Sequence, residues 1–377
     1  MQKTRENNYD LLRVIACFAV MMIHVSGQFY KAAELQIQTG AAVYSDFQMI
    51  MAATYHAISH FAVPCFLMLS GAFVLSSPKT AEYRPFYKNR FFKIILPGLI
   101  FCGFYMFYRY LTAAIQAQTG IDLGRSGLDA PQLILFDFFS GRPFYHLWYI
   151  CVLFFLYLMA PFLSAAVQKF RLPDLTILSL LFFVWGIFSS NIMISKARVF
   201  YWSTTNVFGC AGYFLLGYCI YQHAKKQTAP HPKRAVPGFC GAAVLLLISA
   251  YLHHRELYGT VYGFDVAGHV APLTAAASVL LFYGFSCLPV RKNFAKLSSL
   301  TYYSYLIHAG ILDFTIMMLR LKFGADYCNR LNPVWAVPLF SVLLFIVTIP
   351  FSMIALRIQK SIEQAARRHA QRTTTLS

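Results

Sequence analysis

Residues 10–27, DLLRVIACFAVMMIHVSG, form a hydrophobic segment that carries an arginine and a histidine where a plain membrane anchor would hold only apolar side chains. Arg13 and His24 stand eleven positions apart. At about 100° per residue, eleven positions return to nearly the same helical azimuth, and at 1.5 Å per residue they separate the two side chains by about 16 Å along the axis. A charged side chain in the bilayer core costs on the order of 2.5–3.5 kcal/mol on insertion scales, so intramembrane Arg and His face a polar cavity and act there. Asp10, Arg13, Cys17, Met21 and His24 follow one another at helical spacings of three and four, one stripe with polar ends and an apolar middle. With Leu11 near the interface, His24 would lie about 20 Å deep, past the midplane of a core about 30 Å thick, while Arg13 stays near the cytosol. The spacing therefore predicts that both side chains look into one cavity.

The rest of the chain extends this pattern. Its 377 residues are 58% hydrophobic and 12% charged and include 36 Phe and 24 Tyr, more apolar surface than a soluble domain of that size can bury. Apolar segments recur from end to end and predict an all-α, polytopic transmembrane helix bundle of about ten helices. Their centres fall in residues 11–29, 49–75, 92–112, 147–167, 174–190, 206–222, 236–252, 270–288, 299–319 and 334–356. They leave room for one membrane domain, residues 1–359, followed by a basic cytoplasmic tail, 360–377, read as frayed helix or disorder on anionic lipid. The first segment is not a cleavable signal, because Arg13 and His24 interrupt it and no small-x-small site follows.

The net charge of +18 is spread over short loops rather than gathered in a block, which favours membrane topology over nucleic-acid binding. Loops on the side of the N-terminus carry about twice the Lys and Arg of the other side, which places both termini in the cytoplasm. The nine cysteines are scattered without a C-x-x-C pair and read as apolar fillers. No internal repeat is visible, which weighs against an inverted-repeat transporter. Oligomeric state is not written in the sequence.

Several residues outside the first segment bear on chemistry. His56 and His60 stand at i, i+4 but lack the acid between them that H-E-x-x-H requires, so no metal is expected. Ser70 and Gly71 suit close helix packing rather than a serine nucleophile, since no G-x-S-x-G elbow accompanies them. Asp313 lies five positions after His308, about 140° around a helix, which argues against a dyad. The long connection at 113–146, with its glycines, prolines, Asp122, Asp129 and Asp137, is either a lid facing an acceptor or a plain spacer.

The Asp10-x-x-Arg13 start followed by His24 resembles the opening of the integral-membrane acyltransferase family 3. Three further blocks resemble that family in the right order: VPCFLMLSGAFVL at 63–75, FYHLWYICVLFFLYLMAPFL at 144–163 and SYLIHAGIL at 304–312. The resemblance implies transfer of an acyl group, commonly acetyl from cytoplasmic acetyl-CoA, to a hydroxyl of a surface polysaccharide or lipid-linked glycan precursor at a bacterial inner membrane. It makes His24 the catalytic base, with Arg13 and Asp10 beside it. A covalent acyl-histidine and direct general-base attack both stay open.

The basic stretch YRPFYKNRFFKIILP at 83–97 would then meet the phosphates of CoA through Lys88, Arg90 and Lys93. The family often has R-x-x-R here. Lys93 keeps the second charge but not its bidentate fork. His146, Trp148 and Tyr149 read either as interfacial anchors or, by resemblance, as acceptor contacts, and His308 as a helix–helix hydrogen bonder or a second polar group at the acceptor. A glycan exporter or flippase, which would work without CoA, is the rival reading.

Overall fold

The computed structural model describes residues 6–124, 131–139, 143–188, 204–227, 232–259 and 266–374, and all regular structure among them is helical. The first helix, α1 (Asn7–Thr39), has 33 residues and is about 50 Å long, enough to cross a bilayer at a tilt. It stops where Gly40 takes up φ +71°, a left-handed conformation that costs glycine little, and its N–H closes onto the Gln36 carbonyl. A capping box of Ser45 and Gln48 then starts α2 (Asp46–Ser59).

The single helix expected over 49–75 is two. The chain breaks at His60 and Phe61 and resumes as α3 (Ala62–Leu75). Pro64 is the reason: it has no N–H to return to the His60 carbonyl, and it is tolerated in a first turn, where that donor would be an orphan anyway. A second proline shapes the next segment, α4 (Tyr83–Arg90), a π turn at Phe91–Ile95, and α5 (Leu96–Thr119). Pro97 leaves the Lys93 carbonyl without its helical donor. Gln359 Nε2 reaches that carbonyl at 3.3 Å, and Tyr302 Oη donates to the next one, Ile94, at 2.5 Å.

The remaining helices are α6 (Pro131–Phe139), α7 (Trp148–Lys169), α8 (Leu172–Phe188), α9 (Thr204–Lys225), α10 (Pro232–Glu256), α11 (Pro272–Ser286), α12 (Ala295–Ser298), α13 (Thr301–Phe323) and α14 (Pro333–Thr374). Each of the ten expected segments is met by helix. Among the described residues six stretches, beginning at Asn7, Asp46, Tyr83, Trp148, Pro232 and Pro333, are long and apolar enough to span a membrane, and α8 and α11 are apolar but shorter. α14 presents Leu339, Val342, Leu343, Ile346 and Val347 outward, an apolar face suited to lipid. α9 and α13 fall short of that apolarity because they are enclosed: Tyr213, Phe214 and Leu215 of the one and Tyr305, Leu306 and His308 of the other are buried. The chain is thus a multi-pass, all-α membrane bundle. No helix break marks a tail at 360, since α14 runs on through Thr374; residues 375–377 lie outside the described part.

Two close approaches lock the bundle. A Cβ at Gly71 of α3 would run into the backbone of Phe214 in α9, and one at Gly217 into the backbone of Met68, so the two helices meet at van der Waals distance along small residues. α1 packs against α2, α3, α13 and α14 and is the central element. In the 113–146 connection, α5 extends to Thr119 and the described parts are tied down. Arg109 pairs with Asp137 at 3.0 Å and with the Pro143 carbonyl, and Asp122 pairs with Arg320 of α13 at 2.5 Å. Asp129 lies outside the described residues.

Candidate active site

α1 carries the two halves of the site. Within its first two turns Arg13 Nη1 donates to Asp10 Oδ1 at 3.0 Å and to Ser298 Oγ at 2.8 Å, and Ser298 Oγ donates to the same Asp10 oxygen at 2.6 Å. The guanidinium also lies 5.5 Å from the centre of the Phe73 ring. Asp10 is 5% exposed, and a buried carboxylate survives only with partners of this kind. It stands fourteen residues from His24, about 21 Å by helical rise, so it positions Arg13 and does not touch the imidazole.

Arg13 borders a cavity of about 460 Å3, within the usual range for small-molecule sites. Arg90, Lys93 and Lys360 border it too, with Glu363 the acid among them. The Arg90 guanidinium lies 5.5 and 5.3 Å from the Phe86 and Tyr157 ring centres, and its Nε is buried without a hydrogen-bond partner. An orphaned cationic donor beside three other cations is a natural place for phosphate oxygens. Lys88 is not on this wall. It faces an adjoining groove of about 760 Å3 between α4–α5 and α14, which shares Lys93 and Glu363 with the cavity.

The inner end of the cavity is formed by Phe66, Tyr149 and Tyr305. Tyr149 and Tyr305 meet edge to face at 5.5 Å, and Tyr305 Oη donates to the His146 carbonyl. Behind them His24 of α1, His146 of the turn before α7 and His308 of α13 come together. The His24 ring stacks on His308 at 5.2 Å, His146 is 5.1 Å from His308, and the His24 to His146 distance is 6.5 Å. The single open cavity expected to join Arg13 to His24 is therefore divided by two tyrosines. Between them on α1, Cys17 and Met21 are buried in the core.

The imidazoles differ in their bonding. His308 Nδ1 lies 2.6 Å from the Tyr305 carbonyl, which can only accept, so Nδ1 carries the proton and the neutral ring presents a bare Nε2, buried and without a partner. Both ring nitrogens of His146 are likewise buried and make no well-formed hydrogen bond among the described residues; the nearby acceptor is the Leu306 carbonyl, which takes the Tyr105 hydroxyl and keeps a second lone pair. His24 is half-buried and, among the described residues, makes ring contacts and no hydrogen bond, the outermost contact being with Tyr145 at 4.9 Å. This set of unpaired imidazole nitrogens can accept protons from a reacting hydroxyl.

The HLWY block does not act as one unit. His146 joins the histidine cluster and Tyr149 faces the cavity next to Arg13, while Trp148 stacks on His269 at 4.6 Å. Sequence reading missed Ser298, whose contact with α1 bridges more than 280 residues, and Tyr145, which covers His24. It also missed His253 and Glu256, although their i, i+3 spacing on a helix was a usable signal. His56 turns to His253 rather than pairing with His60 around a common centre, and no group of three or more metal-binding side chains converges among the described residues. Asp313 accepts from Tyr108 Oη at 2.7 Å and is not paired with His308.

A half-open cationic cavity that ends near a histidine cluster, inside a multi-pass helical bundle, is the candidate site of a membrane-embedded enzyme. The family model that matches the chain is described as an acyltransferase domain and covers residues 6–357; the chain belongs to acyltransferase family 3 and is an acyltransferase. Neither a curated protein nor a solved structure matches it significantly.

Proposed function

We propose that this acyltransferase is an O-acyltransferase of a bacterial inner membrane, moving an acyl group, acetyl by family resemblance, from cytoplasmic acyl-CoA to a hydroxyl of a surface polysaccharide or lipid-linked glycan precursor. The observation that carries the reading is the pairing of a cation-lined cavity at the Arg13 end of α1 with the unpaired imidazoles at its His24 end. Arg90, Lys93 and Arg13 would hold the donor's phosphates, Arg13 through a guanidinium already aimed by Asp10 and Ser298. Lys88 would meet the donor only where it leaves the cavity for the adjoining groove. The thioester arm would pass Tyr149 and Tyr305, whose side chains must swing aside to admit it.

His24 would take the proton of the acceptor hydroxyl as its oxygen attacks the acyl carbon. His308, fixed by its Nδ1–H bond to Tyr305, would offer a second lone pair, and His146 and Tyr145 would border the acceptor. Trp148 belongs to the same acceptor side through its stack on His269.

The test is direct. Purified protein in proteoliposomes, given labelled acetyl-CoA and a hydroxyl acceptor, should release CoA, and His24→Ala should abolish release while expression persists. Undiminished release by that variant would remove His24 from the mechanism. Glycan movement without CoA would favour an exporter instead. Comparing surface glycans by mass in cells with and without the gene would identify the acceptor from a lost acetyl increment.

A further inference from the structure

A second set of polar side chains lies beside the first, on α2 and α10. His253 Nδ1 is 2.8 Å from Glu256 Oε2, and His253 Nε2 is 2.9 Å from His56 Nδ1. The bonding fixes the direction of every proton in this chain. An ionised carboxylate only accepts, so His253 donates through Nδ1; its Nε2 is then a lone pair and accepts from His56 Nδ1–H. That leaves His56 Nε2 bare, with no hydrogen bond among the described residues.

The bare nitrogen faces α1. A Cβ placed on Gly27, one turn beyond His24, would lie 3.6 Å from His56 Nε2, so the missing side chain at Gly27 keeps that approach open. Gly27 follows His24 by three positions on α1, so His56 Nε2 approaches the helix within one turn of the His24 side chain. Tyr30 of α1 clamps the chain from one side, stacked on His253 at 4.1 Å and 7° and on His56 at 5.2 Å, with its hydroxyl on the His253 carbonyl. The side-chain exposure rises from 8% at His253 to 37% at Glu256. Other charged or titratable groups near it include His60, Lys31 and Glu34, and His254 and Arg255 stand between His253 and Glu256 on α10.

We propose that His56, His253 and Glu256 form a proton relay that clears the reaction centre at His24 to the surface where α10 ends. This rests on the reading of His24 as the base. In each turnover the acceptor O–H bond breaks and its oxygen bonds to the acyl carbon as the C–S bond breaks. The thiolate takes a proton from cytoplasmic solvent, and the hydroxyl proton goes to His24. From His24 it passes to His56 Nε2, the His56 Nδ1 proton shifts to His253 Nε2, and the His253 Nδ1 proton shifts to Glu256, which loses it to solvent. His56, His253 and Glu256 then return to their starting protonation by ring reorientation. His253 and Glu256 are positioning residues, because they act through His56.

The experiment uses the full chain in proteoliposomes with acetyl-CoA as donor and water as acceptor, so that CoA release reports turnover. His56→Ala and Glu256→Gln should each slow steady-state release about tenfold or more while leaving the first turnover unchanged, because His24 can hold one proton. Added imidazole should restore His56→Ala. A steady-state rate equal to wild type, or a slowed first turnover that imidazole does not restore, would overturn the relay.

A second measurement is independent of activity. Solid-state NMR of 15N-histidine protein, with His56→Ala and His253→Ala spectra for assignment, should find both rings protonated at Nδ1 and bare at Nε2 at neutral pH. A His56 ring protonated at Nε2 would sink the relay. Wild-type protein that releases no CoA would instead count against the acyl-transfer reading, and the tautomers would still decide the wiring.

Discussion

The two ends of α1 are held in opposite ways. Arg13 is anchored through Nη1, one of the guanidinium's several donor nitrogens, to a carboxylate and a hydroxyl beside an aromatic face, whereas His24 makes ring contacts and no hydrogen bond among the described residues. A permanent charge at the edge of a low-dielectric bundle must be paired to stay there, and pairing also aims it. An imidazole can stand unpaired because it can be neutral, and an unpaired nitrogen is free to take a proton. On the proposed function, the contrast would separate a binding end, which is pre-organised, from a chemical end, which is left open.

The largest expected effect lies at the open end. His24→Ala should lower CoA release by about 10²–10⁴-fold with the protein still folded, the range for loss of a general base. If His308→Ala costs as much and His24→Ala little, the roles of the two stacked rings are exchanged. At the anchored end, Asp10→Ala should act first on stability, by about 1–3 kcal/mol, because it strips a partner from Arg13 and from buried Ser298; thermal unfolding in detergent measures it. An unchanged melting curve would mean that the Asp10, Arg13 and Ser298 triad is idle.

Arg13→Lys should keep charge and fold but lose the fixed fork, raising the donor KM about tenfold, or about 1.4 kcal/mol, with kcat little altered. An unchanged KM would detach Arg13 from the donor. The boundary between the two ends can be probed with Tyr305→Phe, which removes only the bond to the His146 carbonyl and should cost about 0.5–1.5 kcal/mol.

The smallest effect lies outside the membrane, at Asp122. The Gly124 N–H, and then Arg320, hold its carboxyl below the ordinary range. A carboxylate with a depressed folded-state pKa stabilises the fold above its unfolded value, and the gain fades as pH falls through the lower, folded value. Asp122→Asn should therefore lower the melting temperature slightly at neutral pH and not at all in strong acid. Since about half of the Asp122 side chain is exposed (52%), solvent screens much of the effect.

Much of this was legible in the chain. The ten helical segments followed from apolar run length, and the D-x-x-R and His24 stripe pointed to the two ends of α1 that carry the candidate site, because helical periodicity converts spacing into a shared face. Gly71 announced a tight crossing correctly. The break at Pro64 was written in the sequence but hidden by the unbroken apolar run across it. Arg90 and Lys93 border the same cavity as Arg13, whereas Lys88, two residues from Arg90, faces the next groove, since positions two apart on a helix point about 200° apart. The HLWY block looked like one feature and serves three places.

By itself, then, the sequence determined that this chain is a helical membrane bundle whose first helix carries a cation and an imidazole on one face, and its family motifs marked it as an acyltransferase. Those are consequences of composition and of a fixed 3.6-residue period, which act locally. Only the tertiary structure decided that Ser298 completes the Arg13 triad, that Tyr149 and Tyr305 stand between the cavity and His24, and that Glu256 reaches His56 through His253. Each of these depends on which helices become neighbours, and that is set by packing between residues hundreds of positions apart, where no local period carries the information.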